Sequence, residues 1–96
     1  MEKEKHSALR LFGLTLAYHA LGRKKESDAG LTSFMTQFPG AVYQIAEMYA
    51  FRGETDQAFE YLERAKNEQM KGDPLLKGLE HDPRYAALLR RMSLPL

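Results

Sequence analysis

The sequence lacks cysteine and tryptophan altogether among its 96 residues. The absence of cysteine excludes disulfide bonds, thiolate metal sites and a cysteine nucleophile. Because a chain without disulfides suits a reducing compartment, we expect a cytoplasmic location. A chain of this length folds around a single modest core, so we expect one domain over residues 1–96.

An excess of charge of either sign is also lacking. The 14 Lys and Arg residues nearly balance the 13 Asp and Glu residues, which gives a net charge of +1. So small a net charge provides no field that would attract nucleic acid or an acidic membrane surface. The apolar run from Leu11 to Leu21 contains Thr15 and His19 and follows a charged segment, which argues against a signal peptide. We therefore expect no nucleic-acid partner and no membrane association.

Motifs for catalysis and metal binding are missing as well. The glycines form no phosphate-binding loop, and the sequence H-E-x-x-H does not occur. His6, His19 and His81 lie in separate predicted elements without the spacing of metal ligands, so we expect no metal and no cofactor. Glu60 and Glu63 stand one helical turn apart, as a paired acid and base would, but both fall on the polar side of a helix, which favours a solvated surface. We therefore expect no enzymatic activity.

What the sequence does contain is a helical pattern, clearest between Val42 and Ala65. Its first half carries an apolar stripe at helical spacing, formed by Val42, Ile45, Ala46 and Tyr49. Gly53 accepts the left-handed conformation that commonly closes a helix. In the second half Ala58, Leu62 and Ala65 repeat at four- and three-residue steps. The pattern predicts two helices joined by a glycine break, with the small side chains Ala46 and Ala58 at their close crossing.

This pattern resembles the tetratricopeptide repeat, in which apolar, small and Tyr positions of one helix are followed by Ala and large apolar positions of the next. The matching residues are Val42-x2-Ile45-Ala46-x2-Tyr49 and then Ala58-x3-Leu62-x2-Ala65. A shift of 31 residues towards the N-terminus gives a second match without a gap, at Leu11, Leu14, Tyr18, Gly22, Ser27, Leu31 and Phe34. The usual step in this family is about 34 residues, so this repeat is nearly one helical turn shorter.

The resemblance implies an all-α fold with two antiparallel helix-turn-helix hairpins in a right-handed stack and a C-terminal capping helix. We place the first repeat at about 8–38, the second at about 39–70 and the cap at 73–92. The predicted helices span about 8–21, 23–37, 41–52, 55–70 and 83–92, with residues 1–5 as a frayed lead-in. Predicted core positions on the first two helices are Leu11, Leu14, Ala17, Tyr18, Leu21, Ala29, Leu31, Phe34 and Phe38.

The tail carries two strong helix-start signals, Asp73-Pro74 and Asp82-Pro83, each a capping carboxylate before a proline. They predict a short helical turn over Leu75 to Leu79 and then the final helix. This tail resembles the endings of bacterial tetratricopeptide regions attached to cyclases, kinases and transcriptional activators. The resemblance implies either the C-terminal end of a larger protein or a small free-standing relative.

For function, the resemblance implies a protein-binding module. In this family the first helix of each hairpin lines a concave face, and the positions beside the packing stripe point into it. On this chain those positions are Phe12, Leu16, His19, Tyr43, Glu47, Ala50 and Phe51. We expect a mostly apolar groove that binds a peptide or helix of a partner protein. The alternative is that a neighbouring repeat, the tail or a second copy of the chain buries these side chains.

Two other functional classes stay open at this point. One is a self-association or structural element of a larger regulatory protein, for which a weak homodimer is expected, because two hairpins leave apolar ends that something must cover. The other, far behind, is a small enzyme.

Overall fold

The computed structural model describes the backbone of residues 2–65 and 73–91, and the side chains from residue 7 onward within those ranges. The described elements are α1 (Glu2–Ala20), α2 (Lys24–Gln37), α3 (Val42–Phe51), α4 (Thr55–Ala65), a 3₁₀ helix (Pro74–Leu79) and α5 (Pro83–Arg91). Within those ranges the chain is helical and contains no strand, which confirms the all-α class. The predicted ends of the fourth helix at Met70 and of the last helix at Met92 lie outside the described residues.

The first helix is longer than predicted, since α1 begins at Glu2 rather than near Ala8. The expected frayed lead-in is therefore wrong for the described backbone. The physical reason lies in the segment 2–5, which alternates Glu and Lys. Both residue types have high helix propensity, and no proline or glycine interrupts them.

The ends of α1 and α3 repeat the same hydrogen bonds at the predicted step of 31 residues. Gly22 and Gly53 adopt φ angles of 77° and 79°, the left-handed conformation that glycine tolerates. The backbone N–H of each glycine donates three residues back, and that of the next residue donates five residues back, as in a Schellman motif. The four bonds are Gly22 to His19 (3.0 Å), Arg23 to Tyr18 (2.8 Å), Gly53 to Ala50 (3.0 Å) and Glu54 to Tyr49 (2.9 Å). Each connection thus turns the chain back onto the preceding helix.

The α1–α2 hairpin is held at its crossing by small and polar groups. Thr15 and Ser27 are fully buried, and the Ser27 hydroxyl donates to the backbone oxygen of Thr15 at 2.9 Å. The hydroxyl of Thr15 donates in turn to the backbone oxygen of Leu11 at 2.8 Å. Thr15 and Ser27 occupy the positions that Ala46 and Ala58, also fully buried, hold in the second hairpin. Phe12, which precedes Thr15 on α1, faces Phe34, which follows Ser27 on α2, with ring centroids 6.3 Å apart, so α1 and α2 are antiparallel.

At this crossing the backbone of Gly30 lies close to the side chain of Thr15. We therefore expect substitutions at these two positions to affect the free energy of unfolding non-additively. A Cβ atom at position 30 would lie 2.4 Å from the Thr15 hydroxyl oxygen, although alanine gains about 1 kcal/mol over glycine in helix propensity. In the Thr15→Ala background the nearest remaining side-chain contact is an ordinary 3.4 Å. We expect Gly30→Ala to stabilise only in that background, with a coupling energy of about 0.5–2 kcal/mol in a urea-denaturation double-mutant cycle. Additive effects would contradict the close approach.

The core is divided between two clusters of buried side chains. One joins α2 to α3 through Leu31, Phe34, Ile45 and Met48. The other joins α3 and α4 to the C-terminal segment and comprises Tyr43, Ala46, Ala50, Ala58, Phe59, Leu62, Leu76, Leu79, Tyr85, Leu88 and Leu89. The second cluster is the larger, so much of the apolar burial in the described chain depends on residues 73–91.

Several residues of the first hairpin that the sequence assigned to the core are exposed, so those assignments are wrong. Leu14 is 39% exposed and Leu21 is 72% exposed. Ala17 and Ala29 are exposed as well. Periodicity identified the apolar side of α1 but could not distinguish the part that α2 covers from the part that needs another neighbour.

Both predicted helix-start signals in the tail are confirmed. A carboxylate oxygen of Asp73 accepts from the backbone N–H of Leu75 at 2.9 Å, and one of Asp82 accepts from that of Arg84 at 2.9 Å. Arg84 also lies 4.6 Å above the ring of Phe59 and pairs with Asp56 at 3.0 Å, which ties α5 to α4. Such exposed ion pairs add little stability, so the apolar contacts of α5 hold it in place.

Candidate interaction surface

The predicted groove residues separate into two groups, and the C-terminal segment covers one of them. Tyr43 is 7% exposed and Ala50 is 9% exposed, in a cluster with Leu76, Leu79 and Tyr85. Their assignment to an open groove is therefore wrong in the described structure. The alternative that the tail buries predicted groove residues is the one observed for these two.

The contact between α3 and the C-terminal segment contains a small polar network centred on Asp73. The hydroxyl of Tyr43 donates to a carboxylate oxygen of Asp73 at 2.5 Å. Glu47, one turn along α3, shares a side-chain hydrogen bond with the same carboxylate. Asp73 thus caps the 3₁₀ helix with one oxygen and accepts from α3 with the other.

The network shifts the pKa values of its members in opposite directions. Burial, reinforced by the hydrogen bond to Asp73 and the charge of that carboxylate, raises the pKa of Glu47 to about 8. Burial acts to raise the pKa of Asp73 too, but the hydrogen bonds from Glu47, Tyr43 and the Leu75 N–H lower it by more. Burial and the same carboxylate raise the pKa of the Tyr43 phenol well above its usual range. These opposite shifts favour the state in which Glu47 holds the proton and Asp73 carries the charge.

A groove of about 410 Å³ lies along α1 where it faces the end of α2 and the start of α3. Its lining residues are Ala8, Leu9, Phe12, Phe34, Ala41, Gln44 and Glu47. Leu9 is 63% exposed, whereas the ring of Phe34 is buried and lies 6.3 Å from that of Phe12. Among the described lining residues, the polar side chains are those of Gln44 and Glu47, and the others are apolar or aromatic.

The other predicted residues lie beside this groove or at the far end of α1. Leu16 packs against the cluster formed by Leu31, Phe34, Ile45 and Met48. His19 and Phe51 meet edge to face with ring centroids 5.7 Å apart, which joins the C-terminal ends of α1 and α3. The structure therefore brings Phe12 together with Glu47, and His19 together with Phe51, in two separate places.

Next to His19, a cavity of about 170 Å³ is lined by Gly22, Lys24, Arg52 and Glu54. The side chain of Arg52 is 5% exposed and donates through Nη2 to Asp28 and, at 3.1 Å, to Glu54. The hydrogen bond from Arg52, with a second from Lys24, lowers the pKa of the Asp28 carboxyl. These charges neutralise one another, and the cluster connects the two hairpins.

Sequence reasoning missed three features of this surface. Leu9 and Ala41 precede the predicted stripes, and Phe34 was assigned to the core alone. Asp73 was recognised as a helix cap, but its contact with Tyr43 and Glu47 spans a long stretch of chain. The available signal was the apolar composition of residues 8–21, where Arg10, Thr15 and His19 are the polar residues. A helix that is apolar on most of its surface is expected to contact more than one neighbour.

No group of three or more His, Asp or Glu side chains in the described part of the chain is placed to hold a metal ion. No helix among residues 2–65 and 73–91 has the length and apolarity needed to cross a membrane.

Comparison of the chain with protein-family models, with curated proteins and with solved structures gave no match. The resemblance to the tetratricopeptide repeat therefore rests on the residues of this chain and on the repetition of its helix ends.

Proposed function

We propose that the chain is a protein-interaction module of the tetratricopeptide repeat class, which binds a peptide or helix of a partner protein in the groove along α1. The groove of about 410 Å³ with apolar walls is the observation that carries the proposal. The recurrence of the same helix-end bonds at Gly22 and Gly53 supports the repeat class and a right-handed stack of the two hairpins. By the same resemblance we propose a bacterial, cytoplasmic protein.

The chemistry of the groove specifies the kind of segment that fits it. Leu9, Phe12 and Ala41 offer apolar surface, so the partner contributes apolar side chains that leave water on binding. The raised pKa of Glu47 favours its protonated form, which adds no charge to the wall. An amphipathic helix that presents its apolar face to this groove would match it, as in other helix-in-groove complexes.

The exposed leucines on the opposite side of α1 favour a second candidate function. Leu14 and Leu21 lie outside the groove and are left exposed by α2. Exposed apolar surface of this kind is typical of an element that packs on something else. A structural or self-association role within a larger regulatory protein is therefore the alternative, and a small enzyme remains a distant third.

We expect a Leu9→Glu variant to lose peptide binding. The test uses a phage-displayed library of 16-residue peptides selected on the wild-type protein, and dissociation constants of the enriched peptides measured by fluorescence anisotropy. Because Leu9 is exposed, the variant keeps the fold, but binding would have to bury the new carboxylate in an apolar groove. The expected loss of affinity is about tenfold or more.

The matched control is Leu21→Glu, which adds the same charge to the same hairpin but on the side away from the groove. We expect it to bind within about twofold of the wild type. Peptides that bind the Leu9→Glu variant at full affinity, or a selection that enriches no sequence, would rule out the groove. Peptides lost only in Leu21→Glu would place binding on the other side of α1.

A further inference from the structure

The outer face of α1 is exposed at positions whose equivalents in the second hairpin are buried. Leu14 is 39% exposed, while Ile45, 31 residues later, is 1% exposed. Ala17 is exposed in the same way, while its equivalent Met48 is fully buried. Ile45 and Met48 are buried in one cluster with Leu31 and Phe34 of α2, and side chains of α1 pack against the same cluster. α1 therefore presents outward the face that α3 presents to α2.

The equivalence of the two faces is structural as well as sequential. Thr15 and Ala46, which point towards the second helix of their own hairpins, are both fully buried. The two helices end with matching hydrogen bonds at Gly22 and Gly53. Both helices are therefore oriented alike within their hairpins, and the difference at Leu14 comes from the neighbour that α1 lacks among the described residues.

We infer that Leu14, Ala17 and Leu21 form a stacking surface for a further helical hairpin of the same architecture. The second helix of that hairpin would pack on α1 as α2 packs on α3, with large apolar side chains in the positions of Leu31 and Phe34. The occupant is specified by continuity with the α2–α3 interface, which the chain already contains. Leu14, Ala17 and Leu21 do not line the groove, so this surface is independent of the proposed peptide binding.

The surface also indicates how the added hairpin would differ from α2. Ala17 stands where the second hairpin has Met48, and Leu21 stands where it has the buried Arg52. The added hairpin therefore meets a shallower surface at Ala17 and no buried charge at Leu21. Its second helix would carry an apolar residue in place of Asp28, which in this chain accepts from Arg52.

The test is a longer chain in which a duplicate of residues 11–41 follows Ala41, so that the insertion keeps the 31-residue register. The leading copy carries Asp28→Leu, because this position then faces Leu21 of the inserted copy instead of Arg52. The first α2 then faces the α1 of the inserted copy. We expect one cooperative urea transition with a higher midpoint and a steeper slope than the 96-residue chain shows, because more surface is buried. Two separate transitions, a midpoint no higher than that of the parent chain, or a failure to fold would each overturn the inference.

Two variants of the longer chain have the same composition, because each carries Leu14→Glu in only one of the two copies. The change in the inserted copy should lower the urea midpoint, while the change in the leading copy should leave the urea midpoint unchanged. Ala17→Met in the inserted copy should raise it, because the side chain then matches Met48. Equal effects in both copies would show that no hairpin covers this face.

Measurements on the 96-residue chain test whether the chain itself or a second copy of it covers the face that contains Leu14. Leu14→Glu should leave its urea midpoint unchanged, and a fall of the midpoint would mean that the chain itself already covers this face. Sedimentation equilibrium should show the wild-type chain as a monomer at micromolar concentration. A dimer that Leu14→Glu abolishes would instead identify a second copy of α1 as the occupant and overturn the stacking of a hairpin.

Discussion

We expect the Leu76→Ala variant to unfold with a free energy about 2–5 kcal/mol below that of the wild type, the usual cost of deleting a buried leucine side chain. Leu76 lies in the 3₁₀ helix, is fully buried, and belongs to the cluster that contains Tyr43 and Ala50 of α3. The substitution leaves a cavity beneath the C-terminal segment. For a chain of this size the loss is a large share of the total stability, so urea denaturation measures it directly.

Leu21→Ala is the matched control for this prediction. Leu21 is 72% exposed, so the same change of side chain should alter the free energy of unfolding by less than about 0.5 kcal/mol. If Leu76→Ala were equally harmless, the C-terminal segment would not cover α3 in solution. Tyr43 and Ala50 would then return to the open groove that the sequence predicted.

The helix boundaries that were predictable from sequence are those that local chemistry determines. Gly22 and Gly53 end helices because the left-handed conformation is open to glycine, and Asp73 and Asp82 begin them because a carboxylate accepts from a nearby N–H. Each of these signals acts within a few residues. The 31-residue repeat followed from the same local features, seen twice.

The burial of particular faces was not predictable in the same way, because it depends on neighbours distant in sequence. Helical spacing placed Leu14 and Ala17 on the apolar side of α1, but their exposure depends on whether another helix packs there. Tyr43 was assigned to a groove from its position in the repeat pattern. That pattern contains no information about a C-terminal segment that packs over the residue. Thr15 is buried because it takes the position at the helix crossing that Ala46 takes in the second hairpin. A pattern of small apolar residues alone would not favour threonine at a buried position.

Glu47 connects the two halves of the candidate site. Its carboxyl lines the groove along α1 and also bonds to Asp73, the cap of the 3₁₀ helix. A change in its protonation therefore reaches both the groove wall and the contact that holds the C-terminal segment on α3. Deprotonation would place two carboxylates side by side, a repulsion that the partly buried position strengthens.

We expect the stability of the wild type to fall as the pH rises from about 4.5 to about 8, and Glu47→Gln to remove that fall. The pKa of Glu47 is raised from 4.5 to about 8 in the folded chain, first by burial and then by Asp73. Between those values the unfolded chain releases this proton while the folded chain keeps it, so the unfolded state binds fewer protons and stability declines. A glutamine amide donates to Asp73 at any pH, so the variant should be the more stable protein near pH 8.5 and about equal to the wild type near pH 5.

The difference in the free energy of unfolding between the two proteins, measured by urea denaturation at half-unit pH steps, isolates this group. The lowered pKa of Asp73 acts below 3.8, and the raised pKa of Tyr43 acts above 10.0, so neither falls within the window. Glu60→Gln removes an exposed carboxylate of α4 and should follow the wild-type curve. Parallel curves for Glu47→Gln and the wild type would show that Glu47 is ionised in the folded chain, and the uncharged groove wall would then be wrong.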